Sequence, residues 1–293
     1  MPPDPAAAWH GDPAATWLGE LDLDAPWLRL GTRRAGAELA SPADPSQLDE
    51  RARLWRDRPD DVLAVAPEFA AAVDEVSGRI DTVLGRPSVA ADAGSPLASA
   101  GLAGVDDLCL LQRRDALDRD GRPGWYLDAG FVAFPSRWRL ADKVGRRLDL
   151  VHAPVDGYAE VLAARVEALL DALDEGDGSD VRARRNWFVH PDPALFQPTR
   201  PAEGDPVVPA AEVRDRLWLR SEWQTLRSVA PGWVLFTIRI DQVPLGEFVD
   251  VAGRAGDVVD WLTSADPATV AHHGISPDQA SELGAALKPT TLT

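Results

Sequence analysis

Cysteine is almost absent from this sequence: its 293 residues include one, Cys109. A single thiol excludes an internal disulfide, a cysteine-rich zinc site and an iron–sulfur cluster bound by this chain alone. The motif C-x-x-C-H, through which haem is attached covalently, is also missing. The composition therefore excludes haem attachment through that motif.

Basic runs and long apolar segments are also lacking. The formal net charge is -17, from 30 Lys and Arg against 47 Asp and Glu. Such a chain repels phosphate backbones and anionic lipid surfaces, so we expect neither a nucleic-acid nor a membrane partner. No apolar run approaches membrane-spanning length, and the start, MPPDPAAAWHGDP, lacks the pattern of a signal peptide. We therefore expect a cytoplasmic protein.

The common catalytic and nucleotide-binding motifs are missing as well. The sequence contains no G-x-S-x-G elbow, no P-loop, no H-E-x-x-H, and no G-x-G-x-x-G between a predicted strand and helix. Binding of nicotinamide or flavin through those motifs is therefore not predicted, and a redox enzyme built on this chain would need a separate source of electrons.

The sequence predicts an irregular N-terminal arm over residues 1–46 and one domain over 47–293. The arm is rich in Pro, Ala and Asp, whereas the whole chain is 45% hydrophobic, which is enough to form a core. Apolar residues at helical spacing predict a helix that ends at Gly85; they are Phe69, Val73, Val76, Ile80 and Val83.

Alternating patterns further along predict two hairpins. The first joins residues 106–113 to 125–138 and the second joins 215–229 to 233–240. The run RLDLVHAPV, residues 147–155, predicts another strand, followed by an amphipathic helix that begins at Asp156. Early helices, a largely antiparallel sheet and interspersed helices indicate an α+β fold, without the βαβ alternation of a Rossmann sheet.

Polar residues alternate along the predicted strand LWLRSEWQTLR. Side chains on a strand alternate between faces, so Arg220, Glu222 and Gln224 share one face, opposite Trp223. We call these three residues the polar comb. The comb is either the solvated side of an antiparallel sheet or the lining of a cavity, where a buried carboxylate can bind an amine or move a proton.

His152 is one of only five histidines and ends an apolar run, just before Pro154. Its position is compatible with a structural histidine, a metal ligand or a catalytic base. The cations before it, Lys143, Arg146 and Arg147, can meet an anionic group or lie on the surface. Histidines 272 and 273 are adjacent in a late polar segment, and we predict that both lie on the surface.

Five segments, in this order, resemble the haem-dependent oxidative N-demethylase family, which is typified by the α subunit of dimethylamine monooxygenase. The segments are FPSRW (134–138), DKVG (142–145), VHAPV (151–155), RRNW (184–187) and LRSEWQTLRSV (219–229). The similarity extends from about residue 20 to 285. One departure is Trp223, where the family pattern leads us to expect a basic residue after Ser-Glu.

The resemblance implies a PAS-like α+β domain that binds haem b without covalent attachment. The implied reaction uses O2 to remove a methyl group from a small secondary amine, which gives formaldehyde and a primary amine. The implied electron donors are separate flavin and iron–sulfur subunits. A PAS-like haem sensor or binding module without turnover is the alternative.

The resemblance also implies roles for individual residues. His152 would be the proximal iron ligand, with His190 as its main competitor. The preceding cations, Lys143, Arg146 and Arg147, would meet the haem propionates. In the comb, Glu222 would anchor the amine or relay a proton, and Arg220 would orient it. The substrate contacts would be completed by Gln224 and by an aromatic face from Trp187, which is otherwise a core residue.

Overall fold

A computed structural model describes residues 16–19, 21–23, 28–35, 44–86, 93–115, 122–250 and 254–287. Within these ranges eight strands form one sheet, in which all paired strands are antiparallel. The strands are β1 (Arg33–Arg34), β2 (Leu63–Val65), β3 (Asp107–Arg114), β4 (Gly124–Phe131), β5 (Arg146–Arg147), β6 (Val181–His190), β7 (Trp218–Ala230) and β8 (Trp233–Pro244). Their order is β1-β6-β7-β8-β3-β4-β2, and β5 pairs with β4.

Helices surround this sheet. They are α1 (Pro45–Asp57), α2 (Pro59–Val62), α3 (Ala70–Ser77), α4 (Ile80–Leu84), α5 (Pro96–Leu102), α6 (Leu148–Val151), α7 (Tyr158–Val161), α8 (Ala163–Asp174), α9 (Val213–Arg216), α10 (Leu245–Asp250), α11 (Arg254–Ser264), α12 (Pro267–His272) and α13 (Pro277–Leu287). This antiparallel sheet together with these helices confirms the predicted α+β class. No helix in the described ranges is long and apolar enough to span a bilayer.

Both predicted hairpins are present. The first pairs β3 with β4, although its turn, residues 116–121, lies outside the described ranges. The second pairs β7 with β8 across Pro231 and Gly232, where Gly232 has a φ of 75° that L side chains rarely adopt. These two hairpins, joined through β3 and β8, form the centre of the sheet.

Strand alternation divides the core into layers. On β3, Cys109 and Leu111 pack in one cluster with Leu170 of α8, whereas Leu108 and Leu110 pack in another cluster with residues of α1 to α5. A third cluster joins β6 and β7 to helices α10 to α13 and includes Leu18, Leu21 and Leu23 from the N-terminal region. The division of the chain at residue 46 stays a prediction.

The predicted strand over residues 147–155 is wrong. Only Arg146 and Arg147 pair with β4, and the chain then turns into the single helical turn α6, which buries Leu148. The backbone N–H of His152 donates to the Leu148 carbonyl at the end of that turn. His152 therefore follows a helix, not a strand.

The helix predicted from Asp156 is also different in detail. It is split at Leu162 into α7 and α8, and α7 begins after Gly157, whose φ is 75°. The predicted helix that ends at Gly85 is likewise divided, into α3 and α4. In both cases the apolar periodicity located the helical segment but not its interruption.

Candidate functional site

A cavity of about 1060 Å³ lies on one face of the sheet, against residues of β3, β6, β7 and β8. The segment that contains α6, α7 and α8 lines it from the other side, and residues near 136–143, 198–200 and 268–274 contribute to its ends. Its volume is at the upper end of the range for cofactor and ligand pockets. It is large enough to hold a flat cofactor together with a small substrate.

His152 lines this cavity in a defined tautomer. Its Nδ1 lies 2.8 Å from the Leu148 carbonyl oxygen, and because a carbonyl can only accept, Nδ1 must carry the proton. The ring stacks on Tyr158 with centroids 4.2 Å apart. Burial lowers the pKa of His152, and the charge of Lys143 adds to this effect, while the bond to Leu148 opposes it. The ring is therefore neutral, with its lone pair on Nε2, as in metal-binding histidines.

His190, at the end of β6, lines the same cavity and is 3% exposed. Its Nδ1 is buried and has no hydrogen-bond partner in the part of the chain that the structure describes. Burial lowers its pKa to about 3, with further contributions from the charges of Arg220 and Arg137. A second neutral histidine therefore lines the cavity, and a backbone hydrogen bond to Asp192 partly opposes the fall in its pKa.

The prediction that histidines 272 and 273 lie on the surface is wrong. His272 lines the cavity, and burial lowers its pKa to about 4. His273 is 2% exposed, stacks on Trp187 with centroids 3.8 Å apart, and places its Nδ1 2.7 Å from the Trp187 carbonyl. The turn after α12 points the two rings in different directions, which their adjacency in sequence does not reveal.

Two members of the polar comb, Glu222 and Gln224, line the cavity. Glu222 is 7% exposed and accepts a hydrogen bond of 2.7 Å from the Gln224 amide. Across the strand pair, Asn186 lies opposite Glu222, and Arg184 lies opposite Gln224. The comb therefore faces a cavity rather than bulk solvent, and its carboxylate keeps an acceptor oxygen for a ligand.

Arg220, the third member of the comb, is fully buried and does not line the cavity. Its guanidinium donates to the carbonyls of Phe134 (2.9 Å) and Leu195 (3.1 Å) and to the Ser136 hydroxyl (3.0 Å). Burial lowers its pKa to about 10, so it stays charged at neutral pH. The predicted contact that orients Glu222 is not among these bonds, and Arg220 instead fixes two loops to β7.

The three cations predicted near His152 do not all reach the cavity. Lys143 and Arg146 line the cavity, and the Lys143 ammonium donates to the Val151 carbonyl. Burial lowers the pKa of Lys143, and the charge of Arg146 adds to this. Arg147 does not line the cavity and instead pairs with Asp149. The structure thus does not bring Arg147 to the site, because consecutive residues of a strand point to opposite faces.

Sequence reasoning missed Arg184, although it lines the cavity beside the comb. It lies deep in the fold yet keeps accessible surface, because that surface faces the cavity. Burial lowers its pKa, and the charge of Glu222 opposes this. Arg184, Asn186 and His190 lie an even number of residues apart on β6 and so share one face of the strand. That alternation is the signal that could have located Arg184.

The predicted substrate contact of Trp187 is not supported by its position. Trp187 lies on the other face of β6, where it packs against His273 and Trp261. Trp223 also points away from the cavity, and its ring lies between the guanidinium groups of Arg33 and Arg185, at 5.3 and 5.1 Å. The departure from the expected basic residue at position 223 therefore does not alter the cavity lining.

The five segments that carry the resemblance meet around this site. Ser136 of the first segment binds Arg220 of the last, and Arg185 of the fourth donates to the Ser221 hydroxyl at 2.9 Å. The second and third segments supply Lys143 and His152. Residues distant in sequence thus form one site, with a neutral histidine, a buried carboxylate and several cations around a space of cofactor size.

These features define an α+β protein with a large cavity lined by neutral histidines, a buried carboxylate and several cations. A family model described as haem-dependent oxidative N-demethylase, alpha subunit-like, matches residues 78–279. The chain belongs to this family. Comparison with curated proteins gives no significant match.

The residues present fit a haem. In the described ranges no three His, Cys, Asp or Glu side chains are grouped as a metal site. A haem needs only an axial ligand from the protein, because the porphyrin supplies the other donors. His152 and His190 line the cavity and would serve as such ligands, and Lys143 and Arg146, which also line it, would be partners for propionates.

The depressed pKa of His190 predicts a pH-dependent stability. A histidine with a pKa of about 3 when folded and about 6.5 when unfolded binds protons more tightly in the unfolded chain. Its contribution is therefore complete above pH 6.5 and is lost as the pH falls toward 3. Between pH 7.5 and 5.0, the loss from this group should be about 2 kcal/mol.

Urea unfolding of the haem-free protein and of His190→Gln, at both pH values, measures this contribution. The free energy of unfolding of the variant should fall by about 2 kcal/mol less than that of the unmodified chain. An equal fall in both proteins would contradict the assignment of His190 as a buried neutral group.

Proposed function

We propose that this protein is a haem-dependent oxidative N-demethylase that acts on a methylated secondary amine, with haem b held noncovalently in the cavity. The observation that carries the proposal is His152, a neutral histidine with Nδ1 bonded to a carbonyl, in a cofactor-sized cavity that also contains the buried carboxylate of Glu222. An antiparallel sheet with a ligand cavity between one face and a helical segment supports a PAS-like description of the fold.

The proposed reaction consumes electrons that must come from outside this chain. One oxygen atom of O2 enters the methyl group and the other leaves as water, with two electrons and two protons consumed. The hydroxylated methyl group then leaves as formaldehyde, and the N–C bond breaks to give the primary amine. When bound, the haem would supply the oxygen chemistry.

The proximal ligand in this proposal is His152 through Nε2. Its bond to Leu148 and its contact with Tyr158 hold the ring in one orientation. Lys143 and Arg146, which line the cavity, would bind propionates by charge-assisted hydrogen bonds. Because Arg147 is paired with Asp149, it has no part in the proposed cofactor site.

The substrate group in this proposal is Glu222. A secondary amine is protonated in water, and the carboxylate can accept its N–H and hold the proton that the amine must release to present a neutral nitrogen. The Gln224 amide, bonded to the same carboxylate at 2.7 Å, fixes its orientation. Arg220 acts indirectly in this scheme, because its hydrogen bonds to Phe134 and Leu195 fix the loops at the ends of the cavity.

Electrons in this proposal come from separate flavin and iron–sulfur subunits. The chain has one cysteine, Cys109, which is buried, and burial raises the pKa of its thiol. It also has no nucleotide-binding motif of the common types. The description of the family as alpha subunit-like supports an assembly with further components.

Removal of the proposed ligand should disrupt haem binding. Titration of haem-free protein with haemin, followed by the Soret band and a pyridine haemochrome assay, should give stoichiometric haem b in the unmodified chain. Because loss of outer partners of metal ligands already costs about 10- to 100-fold in affinity, His152→Ala should lose at least that much or show a displaced Soret band. His190→Ala serves as the control and should keep the original spectrum. The reverse pattern would assign the iron to His190, and a protein that binds no haem would remove the proposal.

Loss of the proposed amine group should damage turnover but not haem binding. Glu222→Gln keeps the shape of the side chain and removes its charge, so formaldehyde release from a methylated secondary amine should fall about 10²-fold or more. Turnover is measured with a surrogate reductase under O2, and the Soret band should be unchanged. Glu212→Gln, at an exposed position outside the cavity, is the matched control. Demethylation by Glu222→Gln at the original rate would refute this role.

A further inference from the structure

The cavity lining contains more cationic than anionic side chains. It comprises seven Lys and Arg side chains and three Asp and Glu side chains, in a chain whose formal net charge is -17. The cation available to a ligand inside the cavity is therefore identified from the partners and the exposure of each of the seven.

Three of these seven cations have carboxylate partners outside the cavity. The pairs are Arg137–Asp205, Arg139–Asp61 and Arg182–Asp180. Of the remaining four, Arg146 and Arg200 are exposed, and Lys143 donates to the Val151 carbonyl. Arg184 is the cation left facing the interior of the cavity.

Arg184 has much unused hydrogen-bonding capacity. Within the part of the chain that the structure describes, its guanidinium makes one hydrogen bond of 3.3 Å, to the Arg29 carbonyl. Among the described residues its acidic neighbour is Glu222, which influences it through charge but not through a direct ion pair. A guanidinium carries five N–H donors in a planar fork that matches a carboxylate. An enclosed fork with most of its donors unused is suited to an anionic ligand.

The position of Arg184 places that anion beside the amine site. Arg184 lies directly opposite Gln224 in the β6–β7 pair, and Gln224 is hydrogen-bonded to Glu222. Side chains opposite each other in an antiparallel pair start about 5 Å apart. A ligand held by both groups therefore needs its ammonium and its anionic group within a few bonds of each other.

We propose that the substrate is an N-methylated amino acid, whose carboxylate is bound by Arg184 while its amine is bound by Glu222 and Gln224. This inference rests on the proposed demethylation at this cavity. With N-methylglycine the products are glycine, formaldehyde and water, from one O2, two electrons and two protons. A haem propionate offers Arg184 the same carboxylate group, and the experiment distinguishes a bound propionate from a bound substrate carboxylate.

Calorimetry on the haem-loaded protein compares N-methylglycine with N-methylethylamine, which lacks the carboxylate. N-methylglycine should bind at least about tenfold more tightly, because a charge-assisted bond is gained. Arg184→Gln should weaken its binding by about 10- to 100-fold and leave N-methylethylamine unaffected. Arg184→Lys, which keeps the charge but not the fork, should restore part of the affinity. Arg216→Gln, at an exposed arginine that is paired with Glu212 and lies outside the cavity, is the matched control and should bind both ligands as the original protein does.

Haemin affinity and formaldehyde release complete the test. If Arg184→Gln loses haem while the preference between the two ligands is unchanged, Arg184 binds a propionate and the inference is overturned. Equal turnover of both amines would also overturn it and leave the proposed function standing. If Arg184-dependent binding of N-methylglycine is found but neither amine yields formaldehyde, the binding site is supported and the proposed function fails.

Discussion

The buried guanidinium of Arg220 is the constraint on which the cavity depends. It lies on the same face of β7 as Glu222, yet its bonds go to the Phe134 and Leu195 carbonyls and the Ser136 hydroxyl. Those residues belong to two loops whose neighbouring positions line the cavity. A buried cation left without these acceptors would carry a large desolvation cost, so the loops and the strand are fixed together. Through them, one side chain fixes the end of the site.

Because side chains alternate along a strand, β6 and β7 present cavity-lining residues on one face and core-packing residues on the other. On β6 and β7, alternate residues point into the cavity, where Arg184 and Glu222 lie, or into the packed layer beneath helices α10 to α13, where Trp187 lies. The same rule places Trp223 away from the site, between two guanidinium groups. Adjacent residues in one segment can thus line the cavity and pack the core at once.

Sequence reasoning located the hairpins and the comb because their signals are local and periodic. The pairing of β7 with β8, and the shared face of Glu222 and Gln224, follow from alternation alone. The turn at His152 could not be predicted in the same way, because the short segment LDLV before it suits a strand as well as a helical turn. Nor could the burial of His273 or the contact of Arg220 with Phe134, since each depends on a residue more than 80 positions away in sequence.

The central claim is that His152 provides the iron ligand, and chemical rescue tests it most directly. His152→Gly removes the ring and leaves space where an imidazole molecule can bind. Haem-loaded His152→Gly should lose the spectrum of the original protein, and added imidazole should restore it in a saturable manner, while His190→Gly should need no imidazole. If His152→Gly keeps the original ferric and ferrous spectra without imidazole, the iron is bound elsewhere and the account is contradicted.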